Sequence, residues 1–559
     1  MKKLQKLGSG LVAVMLALVL VLPALASAPA ATYTITAPDN GHTYEIYQIF
    51  TGDYSVDEET QAEALSNLKW GQNSANRGDA AIGDAVSQAV MDVLAAVSAG
   101  SDAEKLEVIT QYVDLEGTPF GTVTGGASQQ VPGGYYLIKD VDGALAGEAE
   151  TATLYLVQVA GDVTIDPKDS DIPTLEKKVW EDDTRGTVGP GYYEAADHTI
   201  GDTIPFKLIG SIPDMSAYST YTYTFHDTQS AGLTLHTGSF AVYLVREEDL
   251  NADLETLTPL DNAAGQYYTV NTNPGTGETF TVSFTNLKAV PNVDDYDYIV
   301  VSYTAELNQG AETGQEGNPN NVYLEFSNDP NGTGTGQTER QYVIVFTYTL
   351  NTDKTDGDSG EDLPGAKFVL LNHSGTQAAL VSGDGTFLEW VDLPDGAESY
   401  TEVTLAQWDA MYEDDPETVG PDPDVVRTTG NTGNIRIAGL DDDEYLLLEI
   451  QAPEGYNLLE EPVRVSITSV INQLPFTGEN QSAILTDLYA VINDDTEHPQ
   501  HCSMLGLGTV TVPIANFSGT TLPETGSMGT TIFYAVGGLL ALGAVVLLMA
   551  RRRMNGRGE

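Results

Sequence analysis

Amines, carboxyls and carboxamides recur on the inward faces of two β-rich stretches of this chain. Alternate residues of a strand point to opposite faces. In LEKKVW, Leu175, Lys177 and Val179 share a face. In YTYTFHD, Tyr221, Tyr223, Phe225 and Asp227 do, and in VYLEFSN, Val322, Leu324, Phe326 and Asn328. One sandwich would aim an amine, a carboxyl and an amide into its core. A second set follows the same rule. Lys354 stands at the parity of Leu350 and Thr352, Glu449 at that of Tyr445 and Leu447, and Asn516 at that of Val510, Val512 and Ile514.

Buried charges are costly unless paired, so one account is two buried ion pairs with spectator asparagines. The other account is chemical. Burial lowers a lysine pKa and raises a carboxyl pKa. A neutral amine then attacks the asparagine side-chain carbonyl, and the acid polarises that carbonyl and shuttles protons. Ammonia leaves, and an isopeptide bond crosslinks the sandwich. Lys177, Asp227 and Asn328 form one candidate set; Lys354, Glu449 and Asn516 form the other. Lys178 is the fallback for Lys177, although its parity groups it with Glu176 and Trp180. Such a staple suits a chain whose single cysteine, Cys502, permits no intrachain disulfide.

The elements that would position these groups are mainly strands. The chain has 559 residues, and roughly 100–200 residues per domain suggests three or four domains. Residues 31–171 read as an N-terminal domain with strands at both ends (TYTIT, YEIYQIF, GGYYLIKD, TATLYLVQVA). Helical spacing occupies its middle, at 79–98 and 102–113. PKDSDIPT, at 167–174, reads as a linker. Residues 172–345 and 346–519 each hold many short β-rich runs separated by Gly, Asn, Asp and Pro, the pattern of antiparallel sandwiches. An irregular insert interrupts the latter near 403–430, and the acidic run Asp441-Asp442-Asp443-Glu444 reads as a solvated turn.

Composition narrows the partners. Lys plus Arg is 24 and Asp plus Glu is 81, a formal charge of -57, which argues against nucleic acid. Hydrophobic content of 41% suffices for real cores. No metal or other cofactor is expected. His498, His501 and Cys502 fall short of the four well-spaced ligands of a soft-metal site, and no complete oxygen-ligand loop for calcium is spelled out. No nucleophile elbow, phosphate loop or zinc signature is present, so an enzyme is not expected. The carboxylates above would act once, on their own chain.

The two ends address the chain. Lys2, Lys3 and Lys6 precede an apolar run at 11–22 and then small residues, a secretory signal; Ala26-Ser27-Ala28 and Ala28-Pro29-Ala30 both fit the cleavage pattern, and the proline after Ala28 favours the cut after Ala30. Residues 532–550 are uncharged and apolar, close to the roughly 20 that span a bilayer. Arg551, Arg552 and Arg553 follow and hold the tail inside. Just before this span stands Leu522-Pro523-Glu524-Thr525-Gly526. Motif, span and basic tail in this order resemble the cell-wall sorting signal of Gram-positive surface proteins. The resemblance implies that a sortase cuts between Thr525 and Gly526 and holds Thr525 as a thioester until an amine attacks. A near-copy, LPFTG at 474–478, has no span behind it and reads as a loop inside a domain.

EYLLLEIQAPEGYNLL, at 444–459, resembles the E-box of Gram-positive major pilins, YxLxExxAPxGY. In that family's Cna-B-type domains the glutamate promotes a Lys–Asn bond. The match implies Glu449 as promoter with Lys354 and Asn516 bonded, Asn493 being the second choice of acceptor. Residues 172–345 resemble the family's Cna-A-like domain, which implies Asp227 as promoter of a Lys177–Asn328 bond. YYLIK, at 135–139, aligns with the E-box but puts Lys139 where the acid belongs, so no internal bond is expected in the first domain. DVTIDPKDS, at 162–170, resembles the pilin motif with Asp166 in place of its tyrosine, which implies Lys168 as the amine that joins subunits.

By this resemblance the chain is the shaft subunit of a sortase-assembled pilus, linked Thr525 to Lys168 from copy to copy. The implied partners are pilin-class and housekeeping sortases, copies of itself, minor pilins, peptidoglycan and host surface ligands. The implied location is the cell wall of a Gram-positive bacterium. A wall-anchored adhesin that never polymerises, or a minor pilin, would share the sorting signal and the sandwiches without needing Lys168.

Overall fold

A computed structural model describes residues 32–519 apart from 57–62, 98–101, 142–153, 166–171, 183–184, 186–187, 217, 276, 331–332 and 412–422. The signal at the N-terminus, Lys168, the Leu522–Gly526 motif and the apolar span at 532–550 lie outside the described residues. Among the described residues no helix is long and apolar enough to cross a membrane.

The first domain is built on the long strand Thr43–Val56. Its sheet runs Glu63–Trp70, Thr43–Val56, Gly134–Asp140, Leu154–Val159, with Gly121–Thr124 also paired to Thr43–Val56. A smaller sheet joins Ser128–Pro132, Thr32–Thr36 and Val163–Thr164. Gly134–Asp140 is buried along its whole length, which explains its run of apolar residues on both faces. Helices Gln88–Ala96 and Asp102–Ile109 cover one core through Leu94 and Ile109. The first helix starts nine residues later than helical spacing suggests (Gln88 against residue 79). The backbone of 83–86 is drawn into pairing instead: Gly83 and Val86 donate to Trp70 and Leu68 carbonyls at 2.8 and 2.9 Å, and Gly83 sits at φ 89°. Tertiary pairing overrides local helical propensity there.

The second segment is a two-sheet sandwich. One sheet runs Gly191–Tyr193, Leu175–Glu181, Thr203–Ser211, Tyr298–Leu307, Leu233–Leu235. The other runs Ala195–Asp197, Gln341–Phe346, Asn318–Ser327, Tyr223–Gln229, Phe280–Phe284, Thr269–Asn271. Burial alternates along Leu175–Glu181 and along Asn318–Ser327, as half-buried strands require. Lys177 and Tyr303 belong to the first sheet, Asp227 and Asn320 to the second, so the four meet across the core.

In the third segment Tyr348–Asp356 lies between Arg436–Leu440 and Thr509–Asn516, parallel to the latter. The opposing sheet contains Phe387–Asp392, Gln377–Val381, Lys367–Asn372, Glu444–Gln451, Val463–Ile471, Leu485–Ile492 and Gln500–His501. The insert near 403–430 supplies helix Leu405–Trp408, whose Trp408 enters the core with Val369 and Leu371. Contacts divide the described residues into two compact units, those up to 346 with 471–486, and 347–470 with those from 487 on. The excursion at 471–486 therefore packs with the second sandwich rather than with the strands on either side of it.

The acidic run at 441–444 is not the solvated turn its composition suggests. Asp441 and Asp442 are buried, and Asp442 Oδ2 accepts from the Ser469 amide at 3.1 Å and hydroxyl at 2.8 Å. A distant hydrogen-bonding partner decides this burial, and nothing in the run itself encodes one.

Candidate functional site

In the third segment, parity and pairing bring three groups together. Lys354 pairs in register with Ile514 on the adjacent parallel strand, so Asn516 stands two residues further along on the same face. Glu449 reaches them from the opposing sheet. Lys354, Glu449 and Asn516 are 0%, 3% and 1% exposed, so no water competes for them. The Lys354 ammonium donates to the Asn516 carbonyl oxygen and lies 3.1 Å from Glu449 Oε1. The Asn516 amide nitrogen donates to Glu449 Oε1 and Oε2 at 3.0 and 3.1 Å. The amine thus faces the carbonyl end of the amide, and the acid faces the nitrogen that would leave.

The turn after the Glu449 strand completes this site. The Asn457 carbonyl accepts from the Asn516 amide at 2.9 Å, and the Leu459 amide donates to Glu449 Oε2 at 2.9 Å. Tyr456 donates to Asp356 Oδ2 at 2.5 Å, beside the end of the Lys354 strand. The APEGY run therefore closes over the triad. Gly433 is needed on the other side: its φ is 68°, and a side chain there would strike the Lys354 carbonyl. Burial lowers the Lys354 pKa against the opposing pull of Glu449. Asn493 is elsewhere, on an exposed left-handed turn at φ 49°, where its side chain accepts from the Arg464 amide.

In the second sandwich, Lys177 donates to Asp227 Oδ2 and, at 3.0 Å, to the Tyr303 hydroxyl. Tyr303 lies 3.1 Å from the same Asp227 oxygen. Lys177 is pushed down to about 8 by burial, and burial raises Asp227. Both shifts favour a neutral amine beside a neutral acid. Lys178 points to the other face, where Glu194 and Glu176 hold it at 2.6 and 3.5 Å.

Asn328 is not brought to this pair. Asp227 stands opposite Val322, so Asn328 lies six residues, about 20 Å, further along the strand. Its amide nitrogen on the backbone bonds instead to the Gly334 carbonyl at 3.2 Å. The asparagine at the site is Asn320, which is 0% exposed and donates from Nδ2 to the Tyr303 hydroxyl at 2.9 Å. Asn320 and Asn328 share a strand face, so parity alone cannot separate them. Asn320 is missed when the strand is read from Val322, as in VYLEFSN; the strand in fact spans Asn318–Ser327. Tyr303 had no sequence signal beyond its inward parity in YDYIVVSYTAEL.

Lys139 is buried opposite Glu45, with Nζ 4.0 Å from Oε2. His498 and His501 are exposed and turn to Asp495 and Asp487 at 3.0 and 3.1 Å. The internal LPFTG is folded tightly. Phe476 is buried and bridges to Tyr342, and Asn480 ties the Thr477 amide at 2.8 Å and the Pro475 carbonyl at 3.0 Å. Just before it, the Gln473 side chain bonds both the amide and the carbonyl of Ala195, at 3.2 and 2.9 Å.

Comparison with known proteins agrees with the C-terminal half of this description. Residues 348–480 match the prealbumin-like fold domain SpaA, and residues 518–556 match the LPXTG cell wall anchor motif. The trypsin-resistant surface T6 protein of Streptococcus pyogenes serotype M6 is 23% identical over 415 residues, 69% of each chain. Among solved structures, the T6 backbone pilin of serotype M6 Streptococcus pyogenes aligns over 89% of this chain and 100% of its own, at 17% identity and a TM-score of 0.46. The full-length major pilin SpaD from Corynebacterium diphtheriae aligns over 88% of this chain and 98% of its own, at 15% identity and a TM-score of 0.42.

Proposed function

For a wall-anchored Gram-positive surface protein similar to backbone pilins, which this chain is, we propose the role of shaft subunit in a covalent pilus. Each copy is stapled internally by two Lys–Asn isopeptide bonds and joined to the next through Thr525 and Lys168. The chain is a substrate of sortases and not itself an enzyme, because each internal carboxyl acts once.

The observation that carries this reading is the Lys354–Glu449–Asn516 cluster, a buried amine aimed at a buried amide with a carboxyl at the leaving nitrogen. A plain buried ion pair would use the same asparagine hydrogen bonds, so the covalent bond itself is what separates the two accounts. Intact mass tests it directly. A deficit of two ammonias against the sequence mass, with linked peptides recovered from both sandwiches, is the expected result. The full unmodified mass would remove the internal chemistry and leave a plain wall-anchored adhesin.

The acceptor in the second sandwich is Asn320 on this reading. Asn320→Ala is therefore expected to restore one ammonia to the mass and abolish the Lys177-linked peptide. Asn328→Ala is expected to leave both unchanged. The opposite pattern would return the acceptor role to Asn328.

The internal LPFTG is expected to escape sortase. A protease-like active site needs its substrate extended, and freeing Phe476 and the Asn480 turn means exposing a buried aromatic, at about 1.5–3 kcal/mol. Mapping of wall-released chains should find termini at Thr525 and none at Thr477. Termini at Thr477 in the folded chain would show that this loop opens readily.

A further inference from the structure

The two clusters differ in what touches the leaving nitrogen. In the third segment Glu449 bonds the Asn516 amide directly, at 3.0 and 3.1 Å. In the second sandwich Asp227 bonds Lys177 and Tyr303, and the Asn320 amide bonds the Tyr303 hydroxyl. A phenol stands where the third segment uses its carboxylate. The tyrosine oxygen lies 3.0 Å from the nitrogen that attacks and 2.9 Å from the nitrogen that leaves.

We infer that Tyr303 is a catalytic residue of the Lys177 crosslink, its hydroxyl carrying a proton from the attacking nitrogen to the departing one. The inference rests on the crosslinking proposed above. Lys177 first gives one proton to Asp227, leaving a neutral amine and a carboxylic acid. The amine lone pair forms a bond to Asn320 Cγ, and the carbonyl electron pair moves onto Oδ1. The attacking nitrogen now carries a surplus proton, and Nδ2 needs one to leave. Tyr303 takes the first and gives its own to the second. The Cγ–Nδ2 bond breaks with its electron pair, ammonia departs, and the pair on Oδ1 restores the carbonyl. The phenol is regenerated, and Asp227 keeps the proton it received. No outside reactant is consumed.

Three features suit Tyr303 to this task. Its ring is held by stacking on Phe206 and Phe240, at centroid distances of 5.3 and 5.7 Å, and by the edge of Phe280 at 4.8 Å. Its hydroxyl is fully buried, so proton exchange with water does not compete. Burial lifts its pKa well above the usual 10, so it begins each transfer protonated. Buried Oδ1 atoms of Asp227 and Asn320 have no hydrogen-bond partner among the described residues. These are the acid and carbonyl oxygens whose charge changes during the reaction, and a fully satisfied resting core would not leave them bare.

The test is a time course on the full chain made by cell-free synthesis, with linked and unlinked Lys177 and Asn320 peptides counted by mass spectrometry. Tyr303→Phe keeps the ring and its packing. It is expected to slow linkage in the second sandwich by about 100-fold or more, the usual worth of a positioned proton carrier. The Lys354–Asn516 linkage in the same molecules should form at the unsubstituted rate, serving as an internal clock. Linkage of Tyr303→Phe at the unsubstituted rate overturns the inference. A packing role is separated by melting Lys177→Ala against Lys177→Ala/Tyr303→Phe, neither of which can crosslink. Equal melting leaves the proton-carrying role standing, and a much lower melting point for the double variant overturns it. Absence of any Lys177-linked peptide in the unsubstituted chain overturns the crosslink itself and the tyrosine's role with it.

Discussion

Glu449→Ala is expected to leave the third domain uncrosslinked, which alone lowers its melting temperature by about 10–20 °C. The bond it prevents would close a loop between residues 162 apart. Closing a loop of that size removes unfolded-state entropy worth about 5 kcal/mol, if an isopeptide acts on the unfolded chain as a disulfide does. A domain of this size shifts by about 2–4 °C per kcal/mol, which gives the quoted range. Intact mass should rise by one ammonia after allowance for the substitution, and the Lys354–Asn516 peptide should vanish.

Two effects are mixed in that variant. It removes the bond, and it strips a buried ammonium of its counter-charge, which alone costs about 3–5 kcal/mol. Asn516→Ala separates them. It removes the acceptor while Lys354 and Glu449 stay within 3.1 Å of each other. If the entropy argument is right, Asn516→Ala also melts well below the unsubstituted chain, and Glu449→Ala melts lower still. A full-length linked peptide surviving in Glu449→Ala would mean that the carboxyl is a structural counter-ion and not the promoter.

What could be read in advance follows from what strand parity encodes. Period-two alternation says which face a residue takes, and it separated Lys177 from Lys178 because those neighbours must diverge. It says nothing about position along the strand. Asn320 and Asn328 share a face, and only the pairing of Asp227 with Val322 tells them apart. In the third segment the corresponding choice was settled by motif: the E-box names Glu449, and the last strand before the sorting signal holds one inward asparagine. Tyr303 was hidden for a further reason. It lies in the sheet opposite Asp227, in a strand whose inward positions all read as ordinary apolar core. A tyrosine becomes chemical only through its neighbours, and those neighbours are 76 and 17 residues away in sequence.

Lys168→Ala is expected to abolish the high-mass ladder in sortase-positive cells while leaving monomer on the wall. The asymmetry follows from the two halves of the transfer. On the proposed reading Thr525 forms the thioester and survives in the variant, so anchoring to the wall continues. Only the amine that extends the fibre is lost. The described residues before Lys168 end at Ile165. Val163–Thr164 pairs with the edge of Thr32–Thr36, Ile165 is buried, and Asp162 and Thr164 face outward. After Lys168, the next described strand starts at Leu175. Lys168→Arg sharpens the test. It keeps the positive charge, but a guanidinium does not deprotonate in proteins and cannot act as the nucleophile. Loss of the ladder in both variants identifies the side chain as the attacking amine. A ladder retained in Lys168→Arg would mean that the position contributes only charge, and one retained in both would make the chain a wall-anchored protein that polymerises through another lysine or not at all.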